Sequence, residues 1–96
     1  MHISTNFNID IPYLYEQQYK TNPTVYGRYI VEDSDWSWLI LEYSQHQRLF
    51  FGMILPEQQL TYFTIEDLQS VVREYGIDVE LDTTFNPKLL KEMIDD

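Results

Sequence analysis

Between residues 11 and 20 the apolar side chains recur at the spacing of one helical face. They are Ile11, Leu14, Tyr15 and Tyr19. Asp10 can cap the start of such a helix, and Pro12 is tolerated in its first turn. The pair Asn22-Pro23 favours a break after it. The pattern therefore predicts an N-terminal helix over residues 11–20.

From residue 24 to residue 63 the pattern changes to β-branched and aromatic residues separated by short polar turns. It predicts four strands, at about 24–32, 36–43, 48–55 and 60–63. The second and third are apolar at successive positions, which is typical of central strands covered on both faces. Because the connections are only about four residues long, we expect an antiparallel meander.

The remaining residues predict two helices and a further strand. Thr64 is a suitable N-cap for a helix over residues 65–75, and Gly76 is a suitable end for it. Residues 77–83 alternate apolar and carboxylate side chains, as a half-exposed strand does. Asn86-Pro87 then favours a last helix over residues 87–94.

Together these elements predict an α+β fold, with an antiparallel sheet of four to five strands and helices packed on it. A chain of 96 residues is too short for two separate cores, so we expect residues 1–96 to form a single domain. Hydrophobic residues make up 44% of the chain, which disfavours the disordered class.

Charge narrows the possible partners. Sixteen Asp and Glu residues oppose six Lys and Arg residues, which gives a net charge of −10 at pH 7. This field repels nucleic acid and anionic membranes and attracts basic surfaces. We therefore expect a protein partner with a basic surface, without direct nucleic-acid or membrane binding. Solubility alone explains such a charge equally well.

The expected location is the cytoplasm, and the host cytoplasm if a phage encodes the protein. No apolar run reaches the roughly 18 to 20 residues of a membrane span. The first residues lack the basic and apolar blocks of a signal peptide. The chain has no cysteine, so it has neither a disulfide framework nor a thiolate metal site.

Five segments carry aromatic and glycine residues in a specific order: Trp36–Tyr43, Phe50–Ile54, Leu60–Leu68, Gly76–Asp82 and Phe85–Pro87. They include a tryptophan pair, a Phe-Gly turn, an aromatic entry into a helix and a closing Phe-x-Pro. In this order the chain resembles, over about residues 25–93, a bacterial domain family of unknown function common on plasmids, integrated elements and phages. Thr61 stands where that family tends to have glycine, and Leu81 where it tends to have arginine. The resemblance implies the fold and a mobile-element context, and it implies no activity.

Few residues could support catalysis or bind a metal. The only histidines are His2 and His46, and neither has a neighbour in sequence that suggests a nucleophile–base pair. No phosphate-binding loop or metalloprotease motif occurs. Glu32, Asp33 and Asp35 are the only candidate cluster for a hard cation, but they lack the glycine-containing frame of a calcium loop. We expect a protein that is not an enzyme, with no metal and no cofactor.

Two sets of residues are candidates for partner binding. The acidic set consists of Glu66, Asp67, Glu74, Asp78, Glu80 and Asp82. Alternate residues of a strand lie about 6.6 Å apart, on the scale of successive phosphates along a nucleic-acid strand. The aromatic set consists of Tyr13, Tyr15, Tyr19, Tyr26 and Tyr29, because tyrosine is enriched at protein interfaces. An ordinary solvated face and simple core packing are the alternatives.

The leading hypothesis is an acidic binding protein from a phage or mobile element. It would occlude a basic nucleic-acid-binding surface of a host defence protein by DNA mimicry, as anti-restriction and anti-CRISPR proteins do. The alternative is a regulatory or assembly module of unknown function that forms a homodimer through its early tyrosines.

Overall fold

The structure is a computed structural model that describes residues 3–94. In chain order the strands are β1 (Thr24–Val25), β2 (Gly27–Ile30), β3 (Ser37–Ser44), β4 (Leu49–Leu55), β5 (Gln59–Thr64), β6 (Glu80–Leu81) and β7 (Lys88–Leu89), and the helices are α1 (Ile65–Tyr75) and α2 (Leu90–Met93). Five strands form an antiparallel sheet in the order β5-β4-β3-β2-β6, and β1 pairs with β7 in a second, short sheet. The antiparallel sheet is as expected, whereas helices contribute less to the fold than the α+β prediction implied.

The central strand β3 is buried on both faces, as its apolar sequence predicts. On the helix face of the sheet, Tyr29, Trp38, Ile40, Phe50 and Phe63 share a core with buried residues of α1. On the opposite face, which we call the C-terminal face, the core consists of Val25, Leu39, Leu41, Met53 and Leu90. The sheet therefore separates two layers of packing.

Helix α1 confirms the prediction for residues 65–75. The Thr64 hydroxyl accepts the N–H of Asp67 at 3.1 Å, and the Asp67 carboxylate accepts the N–H of Thr64 at 2.9 Å. This reciprocal capping box fixes the first turn of the helix. Gly76 ends it in the left-handed conformation, with φ of 66°.

The prediction of an N-terminal helix over residues 11–20 is wrong, because this segment consists of turns and bends. Tyr15 has a φ of 76°, which no right-handed helix accepts. The backbone N–H groups of Tyr15 and Gln17 donate to the carboxylate of Glu42, at 2.8 and 2.6 Å. These tertiary hydrogen bonds replace those that a helix would have made within the segment.

Three other boundaries differ from the predictions. The strand expected over residues 24–32 is divided into β1 and β2, which belong to different sheets. The strand expected over residues 77–83 pairs only at Glu80–Leu81, although Val79 is buried and the neighbouring Asp78 is exposed, as the alternation predicts. The helix expected over residues 87–94 is limited to α2, because pairing with β1 holds residues 88–89 extended.

Candidate functional site

One end of the five-stranded sheet gathers acidic side chains from four parts of the chain. Ile30 pairs with Ser37 and Ser37 with Leu55, so the β2–β3 and β4–β5 turns lie at the same end. Ile30 also pairs with Glu80, and the ring of Tyr75 meets that of Trp36 at 5.4 Å, so β6 begins and α1 ends there too. The exposed carboxylates of this acidic end belong to Glu32, Asp33, Asp35, Glu57, Glu74, Asp78 and Glu80.

The acidic end is broad, and no ion pair among the described residues neutralises its charges. It extends from the β4–β5 turn to β6, and with strands about 4.8 Å apart its width is roughly 15–20 Å. Within residues 3–94 the ion pairs are Arg28 with Asp82 and Arg48 with Glu66, and neither uses a carboxylate of the acidic end. In the same part of the chain no three Asp, Glu or His side chains are placed to hold a metal ion.

The structure brings together only half of the predicted acidic set. Glu74, Asp78 and Glu80 lie in the acidic end. Glu66 and Asp67 lie in the first turn of α1, and Glu66 is about 12 Å along the helix axis from Glu74. The other four members of the acidic end come from turns, and sequence reasoning did not connect them. In a meander every second turn lies at the same end of the sheet, and that regularity could have revealed them.

Asp82, the sixth predicted residue, has a structural role. Its carboxylate accepts from Nε of Arg28 at 2.8 Å and from the N–H and hydroxyl of Thr84 at 3.0 and 2.8 Å. Burial raises the pKa of Asp82, but these hydrogen bonds and the charge of Arg28 outweigh it and hold the pKa below its ordinary value. Its oxygens are therefore engaged within the chain.

The predicted tyrosines divide between surface and core. Tyr13, Tyr15 and Tyr19 are 50%, 68% and 78% exposed, and Tyr26 is half-buried. The expectation for Tyr29 is wrong, because its side chain is fully buried and its hydroxyl donates to the carbonyl of Ser4 at 2.7 Å. Burial raises the pKa of Tyr29. Since a strand exposes only alternate residues, the aromatic richness of this region could not decide which rings are accessible.

Tyr62 belongs to the accessible aromatic surface, although no pattern in the sequence distinguishes it from the other aromatic residues. A side-chain hydrogen bond with Tyr62 raises the pKa of the Tyr15 hydroxyl. Nε2 of Gln18 donates to the Tyr62 hydroxyl at 3.1 Å, and the rings of Tyr62 and Phe51 lie 5.0 Å apart. Leu60, on the same face of β5, is 53% exposed. These residues form an exposed apolar surface on the C-terminal face.

A groove of about 320 Å³ lies on the helix face, between α1 and the β4–β5 hairpin. Its lining includes Trp36 and Trp38, whose rings stack with centroids 5.1 Å apart. Glu57 and Asp67 also line it, and both residues are exposed. Aromatic rings and carboxylates in one groove suit a cationic group.

The most deeply buried carboxylate, that of Glu42, is engaged by hydrogen bonds. Besides the two backbone N–H groups of the N-terminal segment, it accepts Nε2 of Gln18 at 2.9 Å. Gln17, which is also buried, donates to the carbonyls of Thr24 and Leu41 and accepts the N–H of Thr24, each at 2.8 Å. This network attaches the N-terminal segment to the sheet and leaves Glu42 no contact with solvent.

Comparison with known proteins gives no functional assignment: no protein family, no characterised protein and no solved structure matches the chain significantly. Among residues 3–94, no helix has both the length and the apolar character required to cross a membrane.

Proposed function

We propose that this protein is a small, non-catalytic binding protein whose acidic end occupies a basic surface on another protein. The observation that carries the proposal is the convergence at one end of the sheet of seven exposed carboxylates, none of which forms an ion pair within residues 3–94. The buried Glu42 and the half-buried Asp82 have their oxygens in structural hydrogen bonds, which favours binding over acid–base chemistry.

The partner that fits best is a protein that handles nucleic acid. Closely spaced carboxylates create a negative field that attracts cations and accelerates the encounter with a basic surface. A basic surface that binds the phosphates of a nucleic acid is complementary in charge to these closely spaced carboxylates. We further propose that the target is a defence protein of the host, inhibited by DNA mimicry, as expected if the chain belongs to the mobile-element family that its sequence resembles.

The proposal is tested with a matched pair of double variants. Glu32→Gln with Asp35→Asn neutralises two charges of the acidic end, and Asp10→Asn with Glu66→Gln neutralises two elsewhere. Binding to purified restriction and RNA-guided nucleases is measured by calorimetry, with and without competing duplex DNA. We expect the first variant to bind about tenfold more weakly and the control to bind almost normally.

Salt and DNA are the decisive variables in the same experiment. Affinity should fall as NaCl rises from about 0.05 to 0.5 M, because screening shortens the reach of the carboxylates. Competing DNA should displace the protein. Binding that ignores both, or an equal loss in the two variants, would overturn the proposal.

A second candidate function is assembly as a homodimer, and the exposure of Tyr13, Tyr15 and Tyr19 favours it. It predicts a mass of twice 11.6 kDa by light scattering and dissociation when Tyr15 and Tyr19 are replaced by serine. A monomer at all concentrations would exclude it.

A further inference from the structure

We infer that the partner contributes an extended segment, basic on one side and apolar on the other, that adds to the open edge of β5 as a sixth strand. The inference rests on the proposed function and specifies what part of the partner is bound. Addition of a strand to a free sheet edge is an established mode of peptide recognition, in which main-chain hydrogen bonds provide affinity.

The outer edge of β5 has backbone groups available for such a strand. Thr64 directs its N–H to Asp67, away from β4, and successive residues of a strand direct their N–H groups to opposite sides. The N–H and C=O groups of Leu60 and Tyr62 therefore lie on the open side. Within residues 3–94 no backbone group donates to or accepts from this side of β5, although the Thr61 hydroxyl makes a long contact with the Tyr62 carbonyl, at 3.3 Å.

The two edges of the sheet differ in protection. The β6 edge pairs over only two residues and is flanked by the carboxylates of Asp78 and Asp82. The β5 edge is six residues long and contains no charged residue and no proline. Proteins normally protect the free edge of a sheet with charged residues or proline. Strand β5 has neither, although the chain as a whole has a net charge of −10. An uncharged edge in an acidic protein favours a strand partner.

On the helix face, the added strand would lie beside the groove that contains Glu57 and Asp67. Thr61 of β5 lines this groove together with the stacked rings of Trp36 and Trp38. Arginine or lysine side chains from alternate positions of the strand would meet the carboxylate of Glu57, the oxygen of Asp67 that does not cap α1, and the half-buried ring of Trp36. Charge complementarity therefore specifies basic residues on this side.

On the C-terminal face, the neighbours of the added strand would be Leu60 and Tyr62, which are 53% and 40% exposed. Apolar side chains at the other alternate positions would cover them. A second copy of this chain does not meet both requirements, because its own β5 contains no basic residue. The sequence that fits alternates basic and apolar residues with a period of two.

The test uses a fluorescent peptide of about nine residues that alternates arginine and valine. Its binding is followed by fluorescence anisotropy, and two derivatives carry N-methyl groups on one or the other alternate set of amides. Only one set faces β5 in an added strand, so we expect methylation of that set to weaken binding at least about tenfold. Methylation of the other set should be tolerated. Equal tolerance of both would overturn the inference.

Protein variants test the side-chain chemistry. Glu57→Gln should weaken binding of the peptide about threefold to tenfold, whereas Asp10→Asn, which removes the same charge from the opposite end, should not. A glutamate–valine peptide should not bind. Dimerisation of the protein through β5 would also overturn the inference. It would appear as a doubled mass that addition of the peptide does not reverse.

The inference and the proposed function fail in distinguishable ways. If nucleases bind through the acidic end but neither peptide derivative shows the methylation asymmetry, the proposed function stands and strand addition is wrong. If the asymmetry is found but the Glu32→Gln, Asp35→Asn variant binds nucleases normally, the β5 edge is a strand-binding site and the acidic end is not the docking surface.

Discussion

Gly52 lies in β4 at a point where the backbone of β3 leaves no room for a side chain. A Cβ on Gly52 would overlap the carbonyl group of Leu39 and reach the ring of Phe63 at 3.3 Å. A Cβ on Gly27 would meet Cδ1 of Ile40 at 3.5 Å, an ordinary contact. The sheet therefore has room for a Cβ atom at position 27 but not at position 52.

Gly52→Ala should lower the free energy of unfolding by about 3 kcal/mol, because the backbone of β3 must move to accept the methyl group. Gly27→Ala is the matched control and should change it by less than about 1 kcal/mol. Urea denaturation followed by tryptophan fluorescence measures both. Similar losses in the two variants would contradict the close approach of β3 and β4.

Glu42 shows how a single buried residue can determine the course of a long segment. A bulge in β3 between Ile40 and Glu42 interrupts the register with β4. Glu42 lies opposite Phe51, and its carboxylate receives the N–H groups of Tyr15 and Gln17. The buried oxygens of Glu42 are satisfied there because hydrogen-bond donors surround them.

Glu42→Ala should destabilise the protein by about 3 kcal/mol, since it leaves buried N–H groups without acceptors. Glu32→Ala, at an exposed turn position, is the control and should have little effect. Hydrogen exchange adds a local readout: the amides of Tyr15 and Gln17 should lose protection in the first variant. Retained protection would show that other contacts hold the N-terminal segment.

Among the individual elements, the local sequence was sufficient to predict α1 but not to predict the structure of residues 11–20. The apolar stripe of α1, with Ile65, Leu68 and Val72, is buried, and its capping box is encoded within four residues. Residues 11–20 have a comparable apolar spacing but adopt turns, because Glu42 competes for their N–H groups. Helical periodicity describes a segment alone, and here a distant strand decided the outcome.

The β6 element depends on the pairing of Asp82 with Arg28, and this pairing predicts a pH dependence. The folded pKa of Asp82 lies below 3.8, its value in an unpaired group. The stabilisation is therefore fully present above about pH 4 and is lost as the pH falls through the folded pKa. Asp82→Asn should cost about 1 kcal/mol at pH 7 and should reduce the acid sensitivity below pH 4. Denaturant titrations at several pH values measure this, and an unchanged acid slope would contradict it.

At the scale of the whole molecule, charge and topology act together. The meander places two of its turns and the ends of two other elements at the acidic end, where like charges repel. The carboxylates of the acidic end repel one another, and an even distribution of the same charges over the surface would reduce that repulsion. An unneutralised acidic end is consistent with a surface that is completed by a basic partner.

The stability of the free protein should consequently rise with salt. Between about 0.01 and 0.5 M NaCl the screening length shortens several-fold, which reduces repulsion within the acidic end. Glu32→Gln with Asp35→Asn should show a smaller rise in the thermal midpoint than Asp10→Asn with Glu66→Gln. Calorimetry of the three proteins makes the comparison. An identical salt dependence would contradict clustering of the charges.

The central strands, helix α1 with both its ends and the acidic character of the protein could all be predicted from the amino-acid sequence, because period, capping and charge depend on residues close together in the chain. The course of residues 11–20, the burial of Tyr29 and the set of carboxylates at the acidic end became clear only from the three-dimensional fold. Each of these depends on residues far apart in sequence, such as Tyr15 and Glu42, which meet across 27 positions. Local patterns carry no information about which distant donor, acceptor or turn will be the neighbour, and packing of the sheet supplies it.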